Sequence, residues 1–501
     1  MNALSVLFLT TLSDLSGDAA WLRVVEPARQ LAERADIAAV HVTSHLDPNL
    51  DALMEAADVV VIQDLADPDL FPRVTAARER GCVVVFDLSH DVTSLPLLHP
   101  LQSFWVEEQS QRNAFKLASL ATLFTASNIR LLAQWATVNP RGNLVADSWP
   151  HEVEWQREER SPEVPFRVAM VVELHEYEGA REVIESILAW LQAVPAAILE
   201  VLAPEIVHSA FSGGPEGRVV LSSAREHFER VAAFGRADVV VLTLEATPYA
   251  LRQGDRHWLE AAACGAVVLA PKRGPYEERI THGANGVLYT EADEVIAALD
   301  RLSTDSAFLH HIRAAAGNQI AAERQLKASL DEQVSYWRLF LKRERTGATP
   351  TLPARLPGPM LPHEHAMYEG IISFGPLSDR EAARSHFLRA AELIPGSPEP
   401  FMMLARVVPN PIEYISQALE RAPRSLRANL LLGDALQDAT MNQEALAAYM
   451  RTAEIFPAWE LPYLRVALLL AGLGLQTDSD HFVRMAADVA TFLEEGIETR
   501  P

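Results

Sequence analysis

The sequence has few cysteines and few basic residues, and it has no long apolar run. Its 501 residues include two cysteines, Cys82 and Cys264, which excludes a disulfide scaffold and a cysteine-rich zinc module. No stretch reaches the roughly 18 apolar residues of a membrane span. The apolar start, Met1–Leu12, lacks the basic residues of a signal peptide. We therefore expect a cytoplasmic protein without a transmembrane segment.

Positive charge is scarce throughout the chain. Lysine and arginine number 43 against 67 aspartate and glutamate residues, so the formal net charge is −24. A surface this acidic repels phosphate backbones, and we expect no nucleic-acid partner. Hydrophobic residues form 49% of the chain and charged residues 22%, which is typical of a folded protein. At roughly 150 residues per domain, the length predicts about three domains.

Residues 1–150 and 166–345 each alternate short apolar runs with helical patterns, and the polar segment 151–165 connects them. Nearly continuous Val, Ile and Leu is typical of strands buried on both faces of a parallel sheet, with helices between them. The predicted fold class is therefore α/β, with two tandem doubly wound, Rossmann-like domains. The strand candidates are Leu4–Leu12, Ile37–Thr43, Ala57–Gln63, Cys82–Leu88, Thr122–Ala126 and Asn143–Ala146, then Phe166–Val172, Ala197–Leu202, Arg218–Leu221, Asp238–Leu244, Ala266–Ala270 and Gly286–Tyr289.

The last part of the chain is predicted to be wholly helical. Residues 346–362 hold five prolines and predict a semi-rigid, extended linker. In residues 363–501, the segments AAELIP, ALERAP and TAEIFP align at their prolines, with spacings of 28 and 34 residues. A 34-residue helical period is typical of tetratricopeptide repeats, and a plain helical bundle is the alternative. We expect the groove of these repeats to bind a protein acceptor or an assembly partner, held away from the α/β domains by the linker.

Chemistry is most clearly indicated in residues 238–289. A loop there, residues 245–255, leads into a helix that begins near Arg256, and a helix N-terminus is a ready seat for phosphate. Glu260 lies one turn into that helix, where a carboxylate can accept two hydroxyl hydrogen bonds from a ribose. Taken alone, Glu260 is better interpreted as a solvated helix residue.

This segment resembles the donor-binding half of glycosyltransferases of the GT-B fold, especially the family 4 group. LEAAACGAVVLAP (Leu259–Pro271) is similar to that family's "LEAMACG.PVV" stretch, and the residues after it follow the pattern "GG..E....G.NG". In the first half, VVVFDLSHD (Val83–Asp91), FTASNIRLLAQW (Phe124–Trp135) and NLVADSWP (Asn143–Pro150) show a weaker similarity. The resemblance covers about residues 1–340 and implies two Rossmann-like domains in GT-B arrangement.

The resemblance implies transfer of a hexose from a nucleotide sugar to an acceptor, without a metal ion or another cofactor. It implies that Glu260 contacts the ribose and that the catalytic residue His90 lies near the transferred sugar. Gly254 and the helix start after it are predicted to hold the diphosphate. In the first β–α loop, Gly17 is predicted to let the acceptor or the sugar approach the backbone.

The chain departs from the family pattern where the pattern supplies positive charge. The Arg and Lys that neutralise the diphosphate fall here at Glu173 and Glu178, and the first glutamate of the family's pair falls at Arg252. We expect Arg252 or Lys272 to compensate. Two further matched positions, Gly274 and Glu278, complete the predicted donor side.

Two other classes of protein stay open on these residues. The departures also fit a catalytically inactive GT-B protein that binds a partner. The helical appendage argues against the other class, a nucleotide-sugar epimerase. Two short motifs are interpreted as chance: Asp67-Pro68-Asp69, a metal motif of another glycosyltransferase fold, and Ser89-His90-Asp91, whose members are contiguous where a triad needs residues from separate segments.

Overall fold

A computed structural model describes residues 3–11, 20–96, 108–151, 164–223, 227–343, 350–358, 360–374 and 379–498. Within these residues the chain forms two six-stranded parallel sheets and then an all-helical region. Among the described residues, none of the helices combines the length and the apolar character that a membrane crossing requires.

The first sheet is the centre of the first α/β domain. Its strands are β1 Leu4–Thr10, β2 Ile37–Ser44, β3 Val59–Gln63, β4 Val83–Leu88, β5 Leu123–Ala126 and β6 Gly142–Leu144. Its helices are α1 Glu26–Ala32, α2 Leu50–Ala56, α3 Leu70–Glu79, α4 Glu108–Leu120 and α5 Ile129–Trp135, with a π-helical turn, Trp21–Val25, before α1. The strand order is β2-β1-β3-β4-β5-β6. The direction of strand addition therefore reverses between β1 and β3, where ligands bind in such sheets.

The second sheet repeats this organisation. Its strands are β7 Phe166–Val171, β8 Ala197–Leu202, β9 Val219–Ser222, β10 Val239–Val241, β11 Val267–Pro271 and β12 Val287–Tyr289, in the order β12-β11-β10-β7-β8-β9. Its helices are α6 Tyr177–Ala193, α7 His227–Arg236, α8 Pro248–Leu251, α9 Arg256–Ala263, α10 Gly274–Arg279, α11 Ala292–Thr304 and α12 Ser306–Glu323, with 3₁₀ turns at Leu174–Glu176 and Glu205–Phe211. The predicted pair of doubly wound domains is confirmed.

The chain returns to the first domain after α12. Helix α13, Leu326–Phe340, follows the second domain in sequence, but its apolar face packs on the first sheet through Leu330, Val334 and Trp337. Where the chain crosses back, the Trp149 N–H donates to the Arg324 carbonyl at 2.7 Å, and the Leu326 N–H donates to the Trp149 carbonyl at 3.0 Å. The two domains therefore share a short two-stranded hinge.

The region after the linker consists of helices in sequential pairs. They are α14 Pro362–Phe374, α15 Arg380–Leu393, α16 Glu399–Val407, α17 Ile412–Arg421, α18 Leu426–Asp438, α19 Asn442–Ile455, α20 Glu460–Gly472 and α21 Gln476–Glu498. The three aligned prolines follow the ends of α15, α17 and α19. Gly370 and Gly433 let the helices of a pair approach, because a Cβ there would lie 2.4 Å from the Phe387 ring and 2.3 Å from the Tyr449 ring. The predicted helical character is confirmed, and the tetratricopeptide assignment stays a prediction.

The helical region is not held at a distance by the linker, as we expected, but packs on the first domain. Linker residue Arg355 pairs with the edge of β2, accepting from the Val42 N–H at 2.8 Å and donating its own N–H to the Val40 carbonyl at 2.9 Å. Phe71 of α3 contacts the rings of Phe456 and Trp459, with ring centres 5.7 and 5.6 Å apart. The proline-rich segment is extended, but backbone hydrogen bonds fix it to a sheet.

A buried charge cluster, here called the interdomain clasp, joins the same two regions. It consists of Asp67, Asp69, Glu399 and Arg427. Both Glu399 oxygens accept from Arg427 Nη2 at 2.5 Å, and the backbone N–H of Arg427 donates to Asp69 Oδ1 at 3.0 Å. Asp67 lies 3.7 Å from the same guanidinium nitrogen. The two aspartates of the D-x-D motif thus have a structural use at this interface.

Candidate functional site

The carboxyl ends of both sheets open on the cleft between the two α/β domains. Asn128, after β5, donates its amide to the Arg252 carbonyl at 2.9 Å. The cleft contains a pocket whose walls come from both domains. The first domain contributes Ser127, Asn128 and Arg130, and the second domain contributes Gln253, Gly254 and Asp255. Ligands of doubly wound sheets bind at such edges, so this cleft is the candidate site.

The first-domain wall is built at the reversal of strand order. Thr10, at the end of β1, donates to Gln63 Oε1 at 3.0 Å, and Gln63 Nε2 donates to Asp64 Oδ2 at 2.7 Å. The Ser89 N–H and hydroxyl, after β4, donate to the two Asp64 oxygens at 2.9 and 2.5 Å. His90, predicted as catalytic, follows and lies in this wall with 14% of its side chain exposed.

Asp64 is a residue that the sequence analysis missed. It is buried, and its backbone has a positive φ of 49°, which is uncommon for a residue other than glycine and is often found at functional sites. Burial raises the pKa of Asp64 to about 7, although the two hydrogen bonds from Ser89 act in the opposite direction. Its position directly after the third predicted strand was the available signal.

The loop of residues 245–255, here called the donor loop, lies close to this wall. A Cβ on Gly254 would lie 3.9 Å from both Asp147 Oδ2 and Ser127 Oγ of the first domain. Asp255 precedes α9 and accepts from Arg324 at 2.7 and 2.8 Å and from Arg279 at 2.6 Å. Burial alone would raise the pKa of Asp255, but these two guanidinium groups outweigh it and hold the pKa below its ordinary value. The start of α9 therefore already has a carboxylate beside it.

Glu260, predicted to contact a ribose, is fully buried instead. Its oxygens accept from Arg230 Nε at 2.9 Å and Arg230 Nη2 at 3.0 Å, and His227 Nδ1 lies 3.2 Å away. Burial would raise its pKa, yet Arg230 and His227 hold the pKa well below the ordinary value. In this arrangement the carboxylate is paired within the second domain and has no surface open to the cleft, which corrects the prediction.

Two other predicted donor residues form ion pairs across the cleft. Arg252 Nη1 lies 2.7 Å from Asp91 Oδ2 of the first domain, and Asp91 is fully buried. Glu278 accepts from Arg130 Nη2 at 2.6 Å. Each side chain is thus paired with the opposite wall but keeps exposed surface, 37% for Arg252 and 53% for Glu278.

The remaining predicted residues have different surroundings. Lys272 is exposed. Gly274 is buried with a φ of +58°, and a Cβ there would lie 3.0 Å from Leu244, so glycine is needed there for the backbone turn and for packing. Gly17, predicted on the acceptor side, lies outside the described residues.

Acidic side chains gather where the family pattern has cations. Glu176 is buried near Glu173 and Glu245, and burial, reinforced by these two neighbours, raises the pKa of Glu176 to about 8. Glu245 Oε1 accepts from the Gly179 N–H, near the start of α6, at 3.1 Å. The other predicted departure, Glu178, lies 3.5 Å from Arg181 on the same helix. A carboxylate thus occupies a helix start where a phosphate could bind.

Two facing Rossmann-like domains with the cleft at their carboxyl edges define the GT-B fold. The sequence matches no family model and no curated protein. HepE from Anabaena, crystallised with UDP and glucose, is similar in structure with a TM-score of 0.50 and 16% identity, covering 67% of this chain and 100% of that chain.

Two further solved structures resemble the chain less. HepE with UDP-glucose gives a TM-score of 0.48 and 18% identity, covering 66% of this chain and 100% of that one. The trehalose-6-phosphate synthase OtsA gives a TM-score of 0.41 and 15% identity, covering 58% of this chain and 76% of that one. At these identities, similarity to HepE establishes the fold alone.

Proposed function

We propose that the protein is a metal-independent hexosyltransferase that moves a sugar from a nucleotide sugar to an acceptor. The observation that carries the proposal is the position of the donor loop. Gly254 and Asp255, which directly precede α9 in the segment resembling the family 4 donor site, line the pocket between the domains. HepE, which has this fold, was crystallised with UDP and glucose, and this supports a nucleotide-sugar donor.

For the donor to bind, Arg252 has to exchange its partner Asp91 for the diphosphate. A diphosphate near Gly254 draws Arg252 away from Asp91, because a phosphate offers the guanidinium an equally strong hydrogen-bonded ion pair. Separation of the ion pair opens the cleft on that side. Lys272 is exposed and directly follows β11. Among the described residues it has no recorded ion-pair partner, so it can add positive charge to the site without breaking an ion pair.

The acceptor side belongs to the first domain, where His90 is the candidate catalytic residue. The helical region packs on that same domain through the interdomain clasp, and this supports recruitment of a protein acceptor beside the cleft. Stabilisation of the fold by the helices is the alternative use. We place the reaction in the cytoplasm, in agreement with the low cysteine content.

A second function, an inactive GT-B protein that binds a partner, is favoured by one specific observation. Glu260 is buried in an ion pair, and Glu173, Glu176 and Glu245 gather where the family has cations. Ionised carboxylates at this place repel a diphosphate in a partly buried cleft, and Glu176, whose pKa is raised to about 8, adds to the repulsion only above that pH. The two functions differ in whether nucleotides bind at all.

Calorimetric titration with UDP, GDP and the corresponding nucleotide sugars separates these functions. We expect one nucleotide to bind and to raise the melting temperature, since a ligand specific to the folded state stabilises it. Lys272→Ala is expected to weaken binding, and Lys327→Ala, a matched change of an exposed lysine on α13, to leave it unchanged. Absence of heat and of thermal protection at millimolar nucleotide would reject the transferase and favour the binding protein.

A further inference from the structure

One edge of the second sheet differs from the other sheet edges of the molecule. Strand β9 lies at the end of the strand order and pairs on one side only, with β8. Among the described residues, no strand and no isolated bridge pairs with its outer side. Two of its four side chains are exposed apolar groups, Val220 at 48% and Leu221 at 40%. An apolar edge strand with an open outer side is a template for pairing with another chain.

The other three sheet edges are protected. In the first sheet, the backbone of linker residue Arg355 covers β2, and the opposite edge strand, β6, is only three residues long. In the second sheet, β12 also has three residues, and its Leu288 N–H donates to His282 Nδ1 at 3.1 Å. Shortness and covering segments are common protections of an edge strand. Within the described part of the chain, β9 is thus the edge that lacks such protection.

Charge does not protect β9 either. The segment Gly217–Ser223 contains no acidic residue, although the net charge of the chain is −24. Its one charged residue, Arg218, is held by its own domain, because Nη1 donates to the carbonyls of Leu191 and Val194 at 2.8 and 2.9 Å. Two copies of this acidic chain can therefore meet at β9 without placing carboxylates of the strand opposite each other.

The main-chain groups of β9 alternate between β8 and the open side. The carbonyls of Arg218 and Ser222 accept from backbone N–H groups of β8 and of the residue after it, at 2.9 and 3.0 Å. Because alternate residues direct their hydrogen-bonding groups to opposite sides of a strand, those of Val219 and Leu221 point to the open side. These two residues have the spacing that an antiparallel partner strand needs for two hydrogen-bonded pairs.

We propose that β9 pairs in antiparallel orientation with β9 of a second copy of this chain, about a two-fold axis at Val220. In this register, Val219 of each copy exchanges hydrogen bonds with Leu221 of the other copy, and Val220 faces its symmetry mate in a non-hydrogen-bonded pair. The two second-domain sheets become one continuous sheet. The pairing uses the side of the sheet and not the carboxyl ends that open on the cleft, and it does not rest on the transferase function.

The shortness of β9 favours a folded copy over a flexible peptide as the partner. The register contains only two hydrogen-bonded pairs, and the net value of each hydrogen bond is modest. A flexible peptide loses conformational entropy when it is fixed as a strand, whereas a folded copy has already lost it. Ile206 is 74% exposed in the 3₁₀ turn that contacts β9, and it extends the apolar surface available to a folded partner.

A cysteine cross-link tests the register. Val220→Cys places two thiols opposite each other in a non-hydrogen-bonded pair, where side chains are close. We expect mild oxidation of the full chain to give a covalent dimer on a non-reducing gel. Leu221→Cys is the matched control, since its symmetry mate is a diagonal neighbour about 7–8 Å away and we expect little cross-linking. Equal cross-linking of the two variants would overturn the register.

Sedimentation of the full chain over a range of concentrations tests the dimer itself. We expect a monomer–dimer equilibrium at micromolar concentration. Val220→Lys places like charges opposite each other and is expected to raise the dissociation constant about tenfold. Val164→Lys, a change of a similarly exposed valine before β7, is expected to leave the dissociation constant unchanged. A wild-type chain that stays monomeric, or a dimer that Val220→Lys does not weaken, would overturn the proposal.

Discussion

At the residue scale, two pairs of charged side chains bridge the walls of the cleft. The pair between Arg252 and Asp91 joins the two domains directly, and Asp91 also accepts hydrogen bonds from Thr93 and Ser94. Asp91 is therefore held firmly by its own turn, and Arg252, which is partly exposed, is the mobile partner. A nucleotide competes with Asp91 for Arg252.

We predict opposite effects of changes at these two positions. Arg252→Ala removes a charged hydrogen-bond donor from the diphosphate and is expected to weaken UDP binding by about 1–3 kcal/mol. Asp91→Asn removes the competing charge and is expected to tighten it. Calorimetry on the full chain measures both, and equal affinities in all three proteins would show that Arg252 does not bind the diphosphate.

The buried pair of Glu260 and Arg230 makes a second prediction, on stability and pH. Arg230→Leu leaves the buried carboxylate of Glu260 with His227 as its remaining partner and is expected to destabilise the second domain by about 3–5 kcal/mol. Arg236→Leu, on the same helix but in an exposed pair with Glu200, is expected to cost less than about 1 kcal/mol.

The pH dependence of this effect has a definite sign. The folded-state pKa of Glu260 lies below its ordinary value of 4.5, so the stabilisation is fully present above pH 4.5. It is lost as the pH falls through the folded-state value. Denaturation midpoints between pH 3 and pH 7 measure this, and a constant difference between wild type and Arg230→Leu over that range would contradict it.

Sequence reasoning identified positions in the cleft better than their partners. Gly254 and His90 lie on opposite walls, and both follow strands whose ends the apolar pattern marked. The pattern contains no information on the side-chain partners of Glu260, because Arg230 is 30 residues away on another helix. For Asp64 the pattern marks only a position directly after a strand, because its importance depends on contacts with the next strand and on its positive φ.

At the element scale, the helical pairs depend on small residues at points of close contact. Gly433→Ala places a methyl group 2.3 Å from the Tyr449 ring. The hydroxyl of Tyr449 is hydrogen-bonded to Asp434 and Gln437, so the ring cannot move away easily. We expect a loss of about 1–3 kcal/mol in stability.

Gly472→Ala is the matched control for this prediction. Nothing lies within 4 Å of a Cβ at Gly472, which is the last residue of α20. Helix propensity then favours alanine by up to about 1 kcal/mol. Thermal unfolding of the two variants checks the comparison, and equal melting temperatures would show that the two helices can separate without loss.

The elements themselves were largely predictable, because period and length are local properties. Apolar runs located the strands of both sheets, and the aligned prolines located the ends of three helices. What the elements pack against was not predictable in the same way. The face of α13 gives no sign that it covers the first sheet, and the prolines of the linker do not show that Arg355 pairs with β2.

At the scale of the whole molecule, the interdomain clasp joins the helical region to the first domain. In the interdomain clasp one guanidinium group lies among three carboxylates. Burial, together with Asp67 and Asp69, raises the pKa of Glu399 to about 7 in spite of Arg427. The contact is therefore weakened by rising pH, since a carboxylate with a raised pKa stabilises the folded state less once it ionises.

Arg427→Ala is predicted to loosen this contact by about 3 kcal/mol, because the carboxylates lose their common partner. The loss is expected to be larger at pH 8 than at pH 5.5, where protonation relieves their repulsion. Arg424→Ala, an exposed change three residues earlier, is expected to have no effect. Limited proteolysis between residues 343 and 362 at both pH values measures the loosening, and equal cleavage rates in the two variants would contradict the role of Arg427.

The hinge has a consequence for how the molecule moves. The chain passes between the α/β domains at Trp149 and again at Arg324–Leu326, and these two passages are hydrogen-bonded side by side. Two adjacent attachments permit rotation of one domain relative to the other about a single axis and resist rotation about other axes. The helical region packs on the first domain, so a macromolecule that binds both the helices and the second domain would fix the angle between the two α/β domains. The mouth of the cleft, farthest from the axis, then travels most for a given rotation.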